Sequence, residues 1–303
     1  MKSWFALALA LLSAPAGASD EVLRIGHARQ FAARSMPCVQ SIAAHQGLEV
    51  REQLLARAPD VIVALAGGQV DAAIVPVADA VSARAAGVPV IVVAGFAPAE
   101  EHILLRKALG GKSIAALAGH RVGVPRASSE ELLLLTELRA ASLAWSEGPG
   151  AGIQLVYLAA QDLDGALRSG YVDAIVQNDR LTTRALQGGY GVEIPRTTGG
   201  SFQVLVTTER QYRQRRVIEP LVNSVADAAR GGLAHREARK GTQLAAMELA
   251  SCAVPLSSIT EEYVDDTARR MVALGVGQLG AVPQASEFVK LDLVASRGTE
   301  LAP

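Results

Sequence analysis

The sequence predicts an α/β protein of two lobes, and three observations predict it. The stretch Ala64 to Val75, ALAGGQVDAAIV, returns about a hundred residues later as ALRSGYVDAIVQ, Ala166 to Gln177. In register, Ala64/Ala166, Leu65/Leu167, Gly68/Gly170, Val70/Val172, Asp71/Asp173 and Ala72/Ala174 are identical. Each copy reads as the last turn of a helix, a glycine that ends it in the left-handed conformation, and a short buried strand. From Val22 onward, short apolar strands alternate with helices, the pattern of parallel α/β architecture. Beyond an apolar leader about 285 residues remain, more than one core usually holds.

The leader comprises Lys2, the apolar run Trp4 to Leu12, and small residues ending Ala16-Gly17-Ala18. That is the pattern of a secretory signal peptide, residues 1–18, with a mature start near Ser19. It is too short for a permanent span, and no Cys follows it to take a lipid. The mature chain is therefore expected to be exported and periplasmic.

Leu23 to Gly26 reads as a strand, followed by the loop His27 to Phe31. Pro37 to Gln46 is a helix closed by Gly47, and Leu48 to Leu55 a strand. A helix from Pro59 to Ala66 leads into the first repeat, whose strand Ala72 to Val75 ends at Pro76. Helix Ala78 to Ala86 stops at Gly87, and Val88 to Ala94 is apolar throughout, as a strand buried on both faces must be. Glu101 to Lys107 alternates and suits a connection leaving one sheet for another. Strand Arg121 to Pro125 precedes Ser128 and Glu131, which have capping-box spacing and open a helix expected to reach Ala144. After the Gly/Pro-rich loop Ser146 to Gly152, strand Ile153 to Leu158 and helix Gln161 to Ser169 deliver the second repeat. Helix Asp179 to Gln187, strand Val192 to Pro195 and strand Ser201 to Thr207 carry the chain back. Three helices, Glu209 to Arg230, Leu233 to Ser251 and Ile259 to Leu274, are expected to pack around one lobe.

Composition removes several function classes. Of 29 basic and 30 acidic residues only Lys2 leaves with the leader, so the mature chain carries a net charge of about −2 and shows no basic patch for nucleic acid or anionic lipid. Aromatic residues are 4% of the chain, too few for a cage around a quaternary ammonium. The two cysteines, Cys38 and Cys252, either pair in an oxidising compartment or remain buried thiols. Glu100, Glu101 and His102 lie together, but no second His or Cys stands at ligand spacing, so neither metal nor cofactor is expected.

Loops leaving the carboxyl ends of parallel strands gather on one sheet edge, where helix N-termini offer unpaired N–H groups to polar ligands, anions above all. Two such edges facing each other form a cleft that closes by hinge motion. The succession LRIG, ALAGGQVDAAIV, AGVPVIVVAG, LAGHRVGVPRASSEELLL, ALRSGYVDAIV and SFQVLVTTER resembles the nitrate/sulfonate/taurine type of periplasmic substrate-binding protein serving ABC importers. The resemblance covers nearly all of the mature chain. It implies a two-lobed periplasmic-binding-protein fold of the type II, Venus-flytrap kind, with the chain ending on the first lobe. The lobes are then 19–103 with 206–303, including the C-terminal helices, and 104–205. It also implies ligand contacts from His27, Ala28, Arg29, Gln30, Val77, Ala78, Phe96, Ser128, Ser129, Gln177, Asn178 and Asp179.

His27 and Arg29 can hold an anionic group, with Ser128 and Ser129 adding donors at a helix N-terminus. Alternatively Ser128 only caps its helix and Arg29 is solvated. Asn178 or Asp179 can cap the following helix instead of, or besides, meeting a ligand. Thr197-Thr198 is a further loop at the same edge, and Asp71 and Asp173 read as structural. The function expected is a monomeric periplasmic solute-binding protein that captures a small polar, anionic, sulfonate-like molecule and delivers it to an ABC permease. An enzyme on the same fold and a periplasmic sensor are the alternatives. Cys38 or His27 can be put forward as nucleophile and base for the enzyme, but Cys38 follows Met36-Pro37 at the start of an apolar helix and no nucleophile elbow, metal motif or P-loop is present.

Overall fold

The computed structural model describes residues 22–28, 36–99, 101–148, 150, 152–229 and 259–293. The leader, Arg29 to Phe31, Glu100, the helix expected over 233–251 and Cys252 lie outside them, and so does the question of a disulfide.

Two sheets form. The first contains β1 (Val22–Ala28), β2 (Glu49–Leu55), β3 (Ala72–Pro76), β4 (Val90–Ala99) and β11 (Ser201–Thr208), in the order β2-β1-β3-β11-β4. The second contains β5 (Glu101–Arg106), β6 (Arg121–Val124), β7 (Trp145–Ser146), β8 (Ile153–Tyr157), β9 (Ala174–Asn178) and β10 (Gly191–Ile194), in the order β10-β5-β9-β6-β8-β7. The repeated strands β3 and β9 fall in different sheets and occupy equivalent places. Each lies between a parallel strand, β1 or β6, and an antiparallel strand, β11 or β5, that belongs to a crossing between the sheets. The crossings run side by side, with Ser201 opposite Ala99.

Helices α1 (Met36–His45), α2 (Ala58–Ala66) and α3 (Val77–Ala85) follow strands of the first sheet; α4 (Ser129–Ala140), α5 (Ala160–Ser169) and α6 (Asp179–Gln187) follow strands of the second. The helix expected over 209–230 is two, α7 (Glu209–Arg213) and α8 (Arg215–Ala229), because Gln214 leaves helical geometry with ψ 60°. α4 stops short of Ala144, since Ser142 turns to φ +56°. Of the later helices, α8 packs on α1 and β4 as expected for a first-lobe helix, but α9 (Glu261–Leu274) lies against both α3 and α4 and so touches both lobes. The short α10 (Ala285–Phe288) follows, with Phe288 fully buried.

One contact explains why the repeat keeps its Gly and Asp. The Arg24 backbone N–H donates to Asp71 Oδ2 at 2.9 Å, while its guanidinium reaches Oδ2, Oδ1 and the Gly68 carbonyl, each at 3.0 Å. Asp71 N–H returns a bond to the Arg24 carbonyl at 2.8 Å. In the second lobe the Arg121 N–H donates to Asp173 Oδ2 at 3.0 Å, its Nη2 to the Gly170 carbonyl at 2.8 Å, and Asp173 N–H to the Arg121 carbonyl at 2.8 Å. Gly68 and Gly170 have φ +70° and +77°, where a side chain would be strained, and this turns their carbonyls toward the arginines. Each clasp thus fixes where the repeated strand starts against its parallel neighbour, and a slip of one residue would turn its apolar face outward. The Asp173 carboxyl gains pKa from burial, but the Arg121 N–H and the Arg121 and Arg106 charges outweigh that and hold it below the usual range. Its contribution is therefore complete above the ordinary carboxylate pKa and lost as pH falls through the lowered one.

Asp71→Ala and Asp173→Ala should each destabilise by about 2 kcal/mol, or roughly 4–8 °C in thermal midpoint, because each leaves a strand N–H and a guanidinium without their carboxylate acceptor. Midpoints within about 1 °C of the parent for both, by circular dichroism, would show that the clasp holds nothing.

Candidate functional site

A cavity of about 450 Å³ lies between the lobes, walled by Arg57, Ile62, Val63, Asp79 and Ser82 from the first and by Pro125 to Ser128, Glu130 and Leu158 to Ala160 from the second. This is the size of a small-molecule site; its second-lobe wall includes Arg126 to Ser128, which sequence spacing marks, while its first-lobe wall comes from α2, α3 and their flanking residues rather than from the marked loops. Arg57, at the head of α2, is paired with Asp60 at 2.7 Å, and Arg126 lies 3.7 Å over the Tyr157 ring while pairing with Glu147 at 2.9 Å. Both guanidiniums stay partly open to solvent at the mouth.

The expected contact residues divide. Ser128 lines the cavity, but its hydroxyl is committed: it donates to the Pro125 carbonyl at 2.8 Å and accepts the Glu131 N–H at 3.1 Å as the N-cap of α4. The box closes one residue early, because Glu131 takes the Ala127 N–H at 2.6 Å, with Ala127 at φ +56°. Ser129 donates to Glu130 Oε2 at 3.3 Å. His27 and Ala28 are the last residues of β1 rather than a loop. The His27 ring is buried, with Nδ1 3.1 Å from the Ala28 carbonyl and Nε2 against Glu52, so neither ring nitrogen is left for an anion. Arg29 and Gln30 lie outside the described residues. Val77, Ala78 and Phe96 are packed into the first-lobe core. Gln177 and Asn178 end β9 and are buried, and Asp179 opens α6. Thr197 and Thr198 do not face a ligand: their N–H and hydroxyl groups all donate to the buried Glu137 carboxylate at 2.6–3.1 Å.

Sequence reasoning named Glu101 only beside Glu100 and His102 and passed over Glu130 and Asp79. Glu101 begins β5, stands cross-strand from Asn178, and accepts a hydrogen bond from Ser201 Oγ at 2.8 Å, tying the two crossings together. Glu130 is the second residue of α4 and is bonded to its own backbone N–H, so the chain's own carboxylate occupies the helix N-terminus. Asp79, in the first turn of α3, opens to the cavity but is otherwise enclosed by protein. Burial, and then repulsion from Glu130, pushes the Glu101 carboxyl up to about 7. Burial likewise raises Glu130, and burial with the Glu130 and Glu101 charges raises Asp79 far above its ordinary value. A signal for Glu130 was present: Leu132 to Leu135 with Leu138 leave α4 no polar face, so acids in its first turn have no solvent to turn to. Among the described residues no group of three or more His, Cys, Asp or Glu is placed to hold a metal ion.

A family model described as NMT1/THI5 like matches residues 44–188, the span that holds both repeats and most of the cavity wall. A "Putative aliphatic sulfonates-binding protein" of Escherichia coli (strain K12) is 32% identical over 197 residues, 61% of this chain and 58% of that protein, so the chain spans somewhat over half of that relative's length. The solved structure of the alkanesulfonate-binding protein SsuA from Xanthomonas axonopodis pv. citri bound to MOPS superposes with a TM-score of 0.67 at 19% identity, over 89% of this chain and 98% of that one. The periplasmic aliphatic sulphonate binding protein SsuA from Escherichia coli superposes at 0.63 with 19% identity, over 91% and 99%. The chain thus has the two-lobed fold seen in these SsuA periplasmic binding proteins.

The raised acids set a pH dependence. A carboxyl whose pKa is higher folded than unfolded binds its proton more tightly in the native state. Stability is therefore unpenalised below the ordinary carboxylate pKa and falls as pH rises, with the loss from Glu101 complete above about 7. Unliganded protein should lose on the order of 2–3 kcal/mol between pH 5 and pH 8 from Glu101 alone. Glu101→Gln should flatten that limb in urea titrations; an unchanged slope would remove Glu101 as its source.

Proposed function

We propose that the protein is a periplasmic solute-binding protein that closes its two lobes on a small polar organic molecule and delivers it to an ABC import permease. The observation that carries this is the interlobe cavity, whose two walls come from opposite lobes joined by a pair of adjacent crossings. A solute touching both walls favours the closed state by its differential contacts, and a permease can read closure as occupancy. The names of the relatives, binding proteins for sulfonates, support the solute class. An anionic, sulfonate-like group fits at the mouth, where Arg57 of one lobe and Arg126 of the other are the guanidiniums on the cavity wall. Each charged hydrogen bond contributes roughly 1.5–3 kcal/mol, so a few of them reach micromolar binding at about −8 kcal/mol after the cost of closure.

Native mass spectrometry of the exported, freshly purified protein should show a monomer carrying one small molecule. Sulfonates should raise the thermal midpoint of protein stripped by unfolding and refolding, and Arg57→Ala with Arg126→Ala should weaken that effect at least tenfold in concentration. Time-dependent conversion of the bound molecule, with release of product, would establish an enzyme instead.

A further inference from the structure

We infer that Asp60 and Glu147 are resident counter-ions that an anionic solute must displace from the two arginines of the cavity mouth, and that they thereby set the affinity threshold of the site. The inference rests on the solute-binding reading and names the groups of this chain that decide which anions are held. Arg57 of the first lobe and Arg126 of the second both border the cavity. Each is already bound in the same way. Arg57 Nε and Nη2 donate to Asp60 Oδ2 and Oδ1 at 3.0 and 2.7 Å, and Arg126 Nη1 and Nη2 donate to Glu147 Oε1 and Oε2 at 3.4 and 2.9 Å. Two parallel N–H bonds to two oxygens are the pairing by which a guanidinium recognises an oxyanion. Each carboxylate therefore occupies its arginine as the head of a solute would.

The position of Arg126 shows what an exchange would move. Glu147 lines a second depression, of about 480 Å³, with Arg121, Gln154 and Tyr171, and Arg126 borders both hollows. Glu147 thus draws the donor edge of the guanidinium toward the second depression, and a solute in the cavity would draw it back. The base of Arg126 is held while that edge turns. Its guanidinium lies 3.7 Å over the Tyr157 ring, the Tyr157 hydroxyl donates to Glu131 Oε1 at 2.6 Å, and Glu131 Oε2 accepts the Ala127 N–H at 2.6 Å. The ion pair itself is open, with Arg126 44% and Glu147 57% exposed. Pairs as exposed as this are weak in water, so they yield to a competitor that brings further binding energy.

A carboxylate tethered beside its arginine acts at a high effective concentration. An inorganic anion offers only its head and gains little by displacing it. An organic anion also buries its body against Ile62, Val63, Pro125 and Leu158, which offsets the exchange. The same displacement cost falls on every anion that takes the arginines, so weak binders drop below their ambient concentration while solutes that fill the cavity stay above it. Hydrogen bonds from Arg57 and Arg126 hold the Asp60 and Glu147 carboxyls below their ordinary range, and both counter-ions are charged at neutral pH.

The test is calorimetric titration of the stripped, full mature chain with hexanesulfonate near neutral pH, alone and in competition with inorganic sulfate at matched ionic strength. Glu147→Gln and Asp60→Asn keep the shape of each side chain and remove its charge. Each should tighten hexanesulfonate by about two- to fivefold, and should tighten sulfate by the same factor, because the group displaced is the same. The gain from Glu147→Gln should vanish beside Arg126→Ala, and that from Asp60→Asn beside Arg57→Ala. Hexan-1-ol, with the same body and no charge, should respond to neither substitution, which separates counter-ion exchange from a change in cavity shape. Unchanged or weaker hexanesulfonate binding in either variant, or a gain that persists without the arginine, would overturn the inference while leaving solute binding intact. Failure of the parent and both variants to bind hexanesulfonate would overturn it together with the anionic reading, whereas conversion of a bound molecule to product would strike at the solute-binding reading itself.

Discussion

The structure depends on a salt-bridged clasp made twice. Arg24 with Asp71 and Arg121 with Asp173 each use one carboxylate to hold a strand N–H, a guanidinium and, through that guanidinium, a left-handed glycine carbonyl. The bonds are local, but what they fix is not: they set the register of the central strand in each sheet, and through it the place of the loop at that strand's far end. In the first lobe that loop leads into α3 and Asp79; in the second it follows Gln177 and Asn178. A repeat kept for packing thereby places the residues that face the cleft.

Two solutions to the buried carboxylate sit a few turns apart on one helix. Glu137 accepts from Thr197 and Thr198, whose hydrogen bonds outweigh the burial that would raise its pKa, and it pins the return crossing to α4. Glu130 has its own N–H and serine hydroxyls, which do not offset burial, and its pKa stays raised. The first acid is part of the frame. The second holds its proton more tightly, because burial outweighs the donors around it, the Asn178 amide among them.

Much of the fold was legible because periodicity and turn chemistry are local. The duplicated segment, the alternation of strands and helices, and the cap at Ser128 all follow from neighbours within a few residues. The β1 end was misread because His27 looks like a loop residue until Glu52 on the adjacent strand β2 accounts for its ring. The site was less legible for the same reason. Arg57, Asp79 and Glu130 are ordinary surface-type residues in sequence, and only the meeting of three separate elements makes them one wall. The straddling position of α9 also could not be read, since an amphipathic stripe says that a helix packs without saying on what.

The central claim is that two clasped lobes move as units about the crossings near Ala99–Glu101 and Ser201 and meet over a solute. Small-angle X-ray scattering on the stripped chain, before and after a binding molecule is added, tests this directly. A smaller radius of gyration with loss of the interlobe shoulder in the distance distribution is the predicted result. Superimposable curves at saturating ligand would contradict it.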